Sequence, residues 1–556
     1  MANTGNMLNT AVSGLLAFQR NLATIGHNIS NVNTDGYSRQ AVEMGTRNPI
    51  QSSTGFIGTG VDVNTVKRVY DQFVFDQVTV RNSSYNQLDT LQNLASGIDD
   101  LLANEDAGLS PTIQQFFNAL QDVANDPTSI PARQVLITEA NTLANRFQSI
   151  DQRFTDMRDQ VNNQLSTVTS EISGLASSIA ELNSTIVQET HAAGGQPPND
   201  LLDKRDLLIS QLSELVSVST VDATDGSVNV FVGNGQTLVL GSNANSLTTM
   251  RNEYDQSQLE VGYVGATSTF PISDQMGGGK LGGLLQFRQQ LLDPAQNSMG
   301  RIAISLADTI NTQHQLGDDI NGNPGGLFFN TIVTSSPTVI SSVNNNPASG
   351  SVSVAIDDTN FIQASDYRLD YDGANFSLTR LSDNSVVDSG FTAADFPRTV
   401  ATDGITLSLA GGFAAGDSFL IQPVRNGGND INVNLTDPAQ FAAAASGSAL
   451  GDNSNALALV ALQSQKVMGN GSESYQSAYA KLVADVGVKT SEAKVNAKAQ
   501  NALLTRAIES QQEISGVNLD EEAANLLKFQ QAYQAAAQVI SVSNDVFQTL
   551  LSVTAR

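Results

Sequence analysis

Near the N-terminus, apolar side chains recur at alternating steps of three and four residues. This spacing predicts an amphipathic helix from about Thr4 to Ser30, with one seam that packs on other helices. The seam consists of Leu8, Ala11, Leu15, Phe18, Leu22, Ile25 and Ile29. An isolated helix cannot bury such a seam, because most helix stability in proteins comes from packing of the apolar face.

The C-terminal end of the chain repeats this pattern. It opens with Asp520, Glu521 and Glu522, acidic residues that suit the N-terminus of a helix. The second seam consists of Leu519, Ala523, Leu526, Tyr533, Ala537, Ile540, Phe547 and Leu551. Each terminal helix therefore needs a partner, which is the opposite terminus of the same chain, a neighbouring copy, or both. We predict that the two seams provide an assembly interface.

Between the ends, helical and β patterns alternate. Residues 71–212 predict long helices, the first run being interrupted at Asp126-Pro127 and Ile130-Pro131, since proline disfavours helix before it. Alternating apolar positions predict strands from residue 217, helix returns over 281–315, a second β stretch fills 331–425, and helix is expected again over 437–556. The hairpin turn signals are Asp225-Gly226, Asp372-Gly373 and Asp403-Gly404.

This order predicts an α+β multidomain protein with discontinuous terminal coiled-coil and helical-bundle domains and inserted β-rich domains. The predicted domains are residues 1–46 with 511–556 as the terminal core, 47–215 with 276–330 and 431–510 as the helical middle, 216–275 as a β-rich insertion, and 331–430 as an outer β-rich insertion. Both termini are expected at one end of the molecule.

Charge supports this division. The formal charge of the 556-residue chain is -27, which argues against nucleic acid or an anionic membrane as a partner because phosphates would be repelled. Residues 216–430 hold eight Lys plus Arg against 21 Asp plus Glu, whereas residues 1–46 are formally neutral. No apolar run approaches the ~20 residues of a membrane span, so no membrane insertion is expected.

The absence of cysteine excludes disulfides and thiolate chemistry. The N-terminal sequence MANTGNMLNTAVSGLL has no basic residue before its apolar part, which does not fit a cleaved secretory signal peptide. The three histidines, His27, His191 and His314, form no zinc-binding pattern and are expected to be solvated or packed.

Two glycine-rich stretches and one acidic stretch resemble ligand sites only superficially. GGGKLGG at 277–283 has Leu281 where a phosphate loop needs Ser or Thr, so a flexible hinge is expected. GFIGTG at 55–60 has the wrong glycine spacing for a dinucleotide site and predicts a turn. Asp319, Asn321 and Asn323 alternate like calcium ligands, but Pro324 takes the place of the loop glycine. We expect no cofactor, metal or catalytic residue, and hence no enzyme.

The stretch GHNISNVNTDGYSRQ, residues 26–40, ends the first helix. Gly36 suits the positive φ of a tight turn, and the Asn and Ser side chains before it can bond backbone groups exposed where the helix ends. An extended segment is expected to begin near Tyr37. The predicted turn motif consists of Asn33, Asp35, Gly36 and Tyr37.

The same stretch resembles the N-terminal signature of the bacterial flagellar axial proteins, a family of rod, hook and hook-associated proteins. VNLDEEAANLLKFQQAYQAAAQVI, residues 517–540, resembles the matching C-terminal signature. Within the family, YSRQ at 37–40 and GLSPTIQQFFNALQDVANDPTSIPARQ at 108–134 are similar to the hook-associated members. The resemblance covers the terminal and helical regions well and the β insertions only loosely.

The resemblance implies a structural adaptor that polymerises at the hook tip and joins the hook to the filament. It implies a homo-oligomer, as a ring or helical assembly, with the terminal helices innermost and disordered until they assemble. The implied partners are the flagellar hook protein, a second hook-filament junction protein and a flagellar export chaperone. The implied location is the extracellular flagellum, reached without a cleaved signal peptide. The expected chaperone footprint is Leu526, Phe529, Tyr533, Ile540, Phe547 and Leu551.

Three alternatives remain open from the residues. Another axial protein of hook or distal rod type is the nearest, although the long helices predicted over 71–212 speak against it. An axial protein whose acidic β insertions serve as a surface adhesin is the second. An enzyme inserted in an axial protein is the weakest, because no catalytic constellation is present.

Overall fold

The computed structural model describes residues 2–52, 55–104, 108–265, 267–449 and 451–554. Long helices carry two β-rich insertions, which confirms the predicted α+β organisation. The helices are α1 Ala2–Ser30, α2 Gln72–Leu102, α3 Leu109–Asn125, α4 Ile130–Ala192, α5 Asn199–Leu215, α6 Gly279–Phe287, α7 Asp293–His314, α8 Ile332–Ser335, α9 Gly427–Asp430, α10 Ser454–Ala461, α11 Tyr475–Ser515 and α12 Leu519–Thr554. A π-helical turn, Arg288–Leu292, joins α6 to α7.

The strands are short and pair antiparallel throughout the described part of the chain. They are β1 Gln40–Thr46, β2 Ile50–Ser52, β3 Gly55–Ile57, β4 Val61–Arg68, β5 Val218–Asp222, β6 Val228–Val232, β7 Gln236–Leu240, β8 Asn243–Ala244, β9 Leu247–Arg251, β10 Leu259–Val264, β11 Thr269–Pro271, β12 Gly317–Asp318, β13 Thr338–Ser341, β14 Ser351–Ile356, β15 Tyr367–Tyr371, β16 Phe376–Arg380, β17 Ser385–Phe391, β18 Arg398–Val400, β19 Ile405–Ala410, β20 Ser418–Gln422 and β21 Ala444–Ala445.

Each insertion holds two sheets. The first contains the orders β5-β6-β7-β8 and β11-β10-β9, and the outer one contains β13-β20-β15-β16-β17 and β14-β19-β18. The predicted hairpin turns are confirmed, because Gly226, Gly373 and Gly404 each adopt a positive φ between paired strands. The pairs β1-β4, β2-β3 and β12-β21 lie outside the insertions.

The predicted interruption of the helical middle is also confirmed. Helix α3 ends at Asn125, and α4 begins at Ile130 with Pro131 in its first turn, where a missing backbone donor is tolerated. Ser129 caps α4 by accepting a hydrogen bond from the Ala132 amide. Helix α4 then continues for 63 residues and buries apolar positions at helical spacing along most of its length.

Buried ion pairs anchor the outer insertion to the helices. Arg425 follows β20 and donates to Asp366 at 2.6 Å and to Asp293 of α7 at 3.3 Å. Arg158 of α4 donates to the same Asp293 carboxylate at 2.8 Å. Charges this deeply buried must be paired, because an unpaired one would carry the full cost of lost hydration.

Residues 47–70 of the predicted middle domain hold β2, β3 and β4, and VDVNTVKR alternates with the period of a strand. One predicted helical stretch is wrong. Residues 437–474 were expected to be helical, but in the described part of this range the helical segments are the short α10 and a 3-10 turn, Pro438–Gln440. Glycine- and asparagine-rich sequences such as GDNSN and MGNGSES break the helix on either side of α10.

The glycine-rich stretches also differ from expectation. GGGKLGG is the start of α6 rather than a flexible hinge, because a Cβ on Gly279 would lie 2.2 Å from the Val216 amide nitrogen and one on Gly283 would lie 2.6 Å from the Gln87 oxygen. These glycines permit close backbone packing against α5 and α2. In GFIGTG, residues 55–57 form β3 and only residues 58–60 form a loop.

Candidate assembly interface

Helices α1 and α12 pack against each other in antiparallel orientation. The rings of Phe18 and Phe529 lie 6.2 Å apart between centroids, and Asn28 donates to the Glu522 carboxylate at 3.1 Å. Residue numbers rise along α1 as they fall along α12 between these two contacts, which sets the antiparallel direction. Within one chain, each terminal helix therefore finds its partner in the opposite terminus.

The pair buries the predicted α1 seam better than the α12 seam. On α1, Ala11 and Ile25 are buried, and the half-buried members are Leu8, Leu15, Phe18, Leu22 and Ile29. On α12, Tyr533 and Ile540 are half-buried, and the exposed members are Leu519, Ala523, Leu526, Ala537, Phe547 and Leu551. Of the predicted chaperone footprint, Phe529, Tyr533 and Ile540 face partly inward, and Leu526, Phe547 and Leu551 face water.

The terminal pair thus keeps an apolar face in solvent. Phe547 is 46% exposed, and Val542 and Val546 beside it are 50% and 41% exposed. Leu16 and Leu527, which lie outside the predicted seams, are also more than half exposed. The narrow seam missed both residues. A stripe that also includes the e position would have included Leu527, whereas Leu16 lies at position b, outside even this wider stripe. Exposed apolar faces of this kind mark sites of interaction with other chains.

A groove lies between α1, α12 and the loop after β3. Its volume is about 670 Å³. The lining residues are Asn6, Met7, Thr10, Ala11, Ile57, Gly58, Ala536, Val539 and Val546. The strand pairs β1-β4 and β2-β3, here called the β ribbon, are fixed at this level of α1, because the Val61 amide donates to the Ser13 hydroxyl at 3.2 Å. The close approach requires Gly60, since a Cβ there would lie 2.0 Å from the Ser13 hydroxyl.

Asn28 joins the terminal helices to the β ribbon. Its side chain is 1% exposed, and its amide oxygen accepts from the Tyr37 hydroxyl at 2.7 Å and from the Gln40 amide at 2.9 Å. Its amide nitrogen donates to the Gln40 carbonyl at 2.9 Å as well as to Glu522. Sequence reasoning missed this residue, for which the only signal was an asparagine in the last turn of an apolar helix.

Gly36 of the predicted turn motif has a φ of +73°. A Cβ there would also lie 3.1 Å from the Leu207 side chain, so glycine is needed both for conformation and for contact with α5. Asn33 and Asp35 are exposed, and Tyr37 is half-buried. Burial and nearby carboxylates raise the pKa of Tyr37, so its hydroxyl stays protonated and donates to Asn28.

Acidic residues of α5 hold the β ribbon in place. The Ser38 amide donates to Asp203 at 3.0 Å, and Arg68 donates to Asp203 at 3.1 Å and to Asp206 at 2.6 Å. Burial raises the pKa of both carboxyl groups, an effect that their contact with Arg68 opposes. Arg39 adds an ion pair with Glu521 at 2.7 Å. The terminal helices are therefore oriented by polar contacts that the sequence did not reveal.

His314 is a buried histidine with a structural role. Its Nε2 accepts from the Ala442 amide at 2.9 Å, and its Nδ1 donates to the Gly326 carbonyl at 2.7 Å. Burial lowers its pKa, which keeps the ring neutral. His27 contacts the Tyr37 ring edge-on, and His191 is exposed at the end of α4. In the described ranges, no three His, Asp or Glu side chains are grouped so as to hold a metal ion.

The residues that resembled calcium ligands form a turn. The Asp319 carboxylate accepts from the backbone amides of Asn321 and Asn323 at 2.7 and 2.8 Å. This carboxylate therefore stabilises its own loop. None of the described helices combines the length and the apolar character of a membrane span.

Comparison with known proteins decides the family. Flagellar hook-associated protein 1 of Salmonella typhimurium is 38% identical over 558 residues, which covers 99% of this chain and 100% of that protein. The chain belongs to the flagellar hook-associated protein 1 family. Proteins of the same name are 36% identical in Escherichia coli over 552 residues and 26% identical in Bacillus subtilis over 584 residues, each alignment covering 99% of this chain.

Family models agree along the chain. The flagellar hook-associated protein FlgK helical domain matches residues 95–329, and the D2-like domain of flagellar hook-associated protein 1 matches residues 340–423. The flagella basal body rod protein model matches residues 8–37, and the C-terminal model of the basal body rod FlgEFG proteins matches residues 509–553. The terminal matches coincide with α1 and α12, which confirms the resemblance of both ends to axial proteins.

A solved structure supports the same fold. The flagellar hook junction protein FlgK from Burkholderia pseudomallei matches with a TM-score of 0.73 and 28% identity, covering 79% of this chain and 100% of that one. The chain is therefore a structural flagellar protein with the role of a hook-filament junction adaptor.

Proposed function

We propose that this chain polymerises at the tip of the flagellar hook through its paired terminal helices and there joins the hook protein to a second junction protein. The observation that carries the proposal is the apolar face that α1 and α12 leave in solvent. Burial of this face stabilises an assembly by ~25 cal/mol per Å² only when neighbouring copies cover it. Such a role needs no catalytic group or cofactor.

We propose further that the chain is exported unfolded to the extracellular flagellum. The absence of cysteine is compatible with this route, because no disulfide has to form or break on the way. The free monomer is then expected to have disordered ends. Limited proteolysis of purified monomer tests this expectation, and full protection of both ends would refute it.

An export chaperone is proposed to bind α12 before secretion. Phe529, Tyr533 and Ile540 are half-buried in the helix pair, so a chaperone can cover them only when α1 and α12 have separated. Binding of the chaperone and pairing of the terminal helices would thus exclude each other. A purified complex in which α1 remains paired with α12 would contradict this part of the proposal.

The central test is electron microscopy of cells that lack the gene, together with an assay for flagellin in the medium. Bare hooks and secreted flagellin monomers are expected, because the filament would have no junction on which to grow. Normal filaments in these cells would overturn the proposed junction role.

A matched pair of variants tests the interface itself. Phe547 on α12 is 46% exposed and Phe270 on β11 is 42% exposed, so both aromatic rings are similarly available to solvent. Phe547→Asp is expected to reduce the number of filaments in complemented cells, because it places a charge on the proposed interface. Phe270→Asp is expected to leave that number unchanged. Equal effects of the two variants would remove the support for an interface on α12.

A further inference from the structure

The groove between α1 and α12 is apolar, open and uncharged. Met7, Ala11, Ile57, Ala536 and Val539 supply its apolar walls, and none of its lining residues carries a charge. A volume of about 670 Å³ is ample for an aromatic ring. Val539 remains 40% exposed, so the walls are incompletely covered within one chain.

Phe56 lies on the strand that forms one wall of this groove. It is 73% exposed, whereas its neighbour Ile57 lines the groove. Successive side chains of a strand point to opposite faces, so Phe56 faces away from the groove of its own chain. It is paired across the ribbon only with Gln51. One short strand thus presents a groove wall on one side and an exposed aromatic ring on the other.

Charge restricts where two copies can touch. Each copy carries a formal charge of -27, and surfaces of like charge repel. Residues 2–19, 48–61 and 529–544 contain no Asp, Glu, Lys or Arg. These three segments hold Phe56 and every residue that lines the groove except Val546, itself uncharged. The nearest charges on the ribbon, Arg47 and Asp62, neutralise each other at 2.7 Å.

We propose that Phe56 of one copy inserts into the α1–α12 groove of the next copy. This inference rests on the proposed self-assembly and names the contact that drives it. Ring and groove are different surfaces of the same chain, so the contact is heterologous. A heterologous contact repeats from copy to copy and produces a ring when it closes or a helix when it does not.

Loss of the ring has a calculable effect. Burial of a phenylalanine side chain stabilises a contact enough that Phe56→Ala should weaken association between copies roughly 10- to 100-fold. Phe73 on α2 is the matched control, because it is 75% exposed and lies outside the terminal pair. Phe73→Ala should leave association unchanged.

Cysteine cross-linking tests the contact directly. The chain contains no cysteine, so any disulfide must join introduced residues. Cells lacking the gene are made to express two copies together, one with Phe56→Cys and the other with Val539→Cys, and their isolated flagella are mildly oxidised. A disulfide forms only when the two Cβ atoms approach within ~4.5 Å. The control pair combines Phe73→Cys with Val539→Cys.

The expected result is a covalent dimer of twice 58.7 kDa from the Phe56 and Val539 pair, and none from the control pair or from either single variant. Filaments without this dimer would overturn the inserted-ring contact while leaving the junction role intact. A thiol reagent gives a second readout. If Val539→Cys is already protected from the reagent before assembly, the groove is occupied by something other than a second copy, and this result would also overturn the contact. If the unmodified chain fails to restore filaments, the proposed junction role itself fails.

Discussion

Gly300 offers a quantitative test of how the outer β-rich insertion packs on the helices. It lies in α7, and a Cβ at this position would lie 1.8 Å from the Val424 carbonyl oxygen. In return, a Cβ on Gly427 would lie 2.5 Å from the Gly300 carbonyl oxygen. Two backbone segments therefore meet with no side chain between them. The perturbation is Gly300→Ala.

Two effects of opposite sign determine the magnitude. Replacing glycine by alanine inside a helix stabilises it by about 1 kcal/mol. Inserting a methyl group into a filled space costs about 1–3 kcal/mol, and the upper end applies here because a backbone carbonyl cannot rotate away. The expected net loss in free energy of unfolding is about 2 kcal/mol. Gly174 in α4 is the control, since a Cβ there meets nothing within 4 Å, and Gly174→Ala should be stabilising.

The assay is urea denaturation of the purified protein, followed by far-ultraviolet circular dichroism and by proteolysis at the edges of the outer insertion. Gly300→Ala should shift the transition that releases residues 331–430 to lower urea, and Gly174→Ala should shift no transition downward. A Gly300→Ala variant as stable as the parent, or shifted upward like Gly174→Ala, would refute the inferred backbone contact.

The remaining predictions concern polar groups. Because burial lowers the pKa of His314, the unfolded state binds a proton that the folded state does not, and stability should decline as pH falls below the unfolded pKa of 6.5. His314→Gln should flatten this decline by up to about 1.4 kcal/mol per pH unit in urea titrations, and His191→Gln should not. Asn28→Ala removes the side chain that hydrogen-bonds to Gln40 and Glu522. It should therefore destabilise the packing of α1 on α12 by about 3 kcal/mol. Filament counts in complemented cells should fall with Asn28→Ala and stay constant with the exposed Asn33→Ala. Tyr479→Phe removes a hydroxyl that donates to the Leu102 carbonyl at 2.7 Å and should lower the urea midpoint by the equivalent of about 1 kcal/mol.

The sequence by itself determined the long-range plan of the molecule. Periods of three and four residues defined α1 and α12, because an amphipathic helix shows its buried face in the spacing of its apolar residues. Turn glycines such as Gly226 and Gly373 were predictable for a local reason, since only glycine adopts their positive φ without strain. The paired terminal signatures indicated the family, and the comparison with the Salmonella typhimurium protein confirmed it.

Only the tertiary structure decided which surfaces meet. The hydrogen bonds of Asn28, the carboxylates of α5 and the ion pairs of Arg425 join residues far apart in the chain, and no local pattern encodes such pairing. The same holds for GGGKLGG, where glycine serves close backbone packing rather than flexibility. The split of α12 into a half-buried side and an exposed side also depended on the position of α1. A heptad stripe predicts that one helix face will be buried. How much of that face stays exposed, and so available to another chain, depends on the surfaces that pack against it.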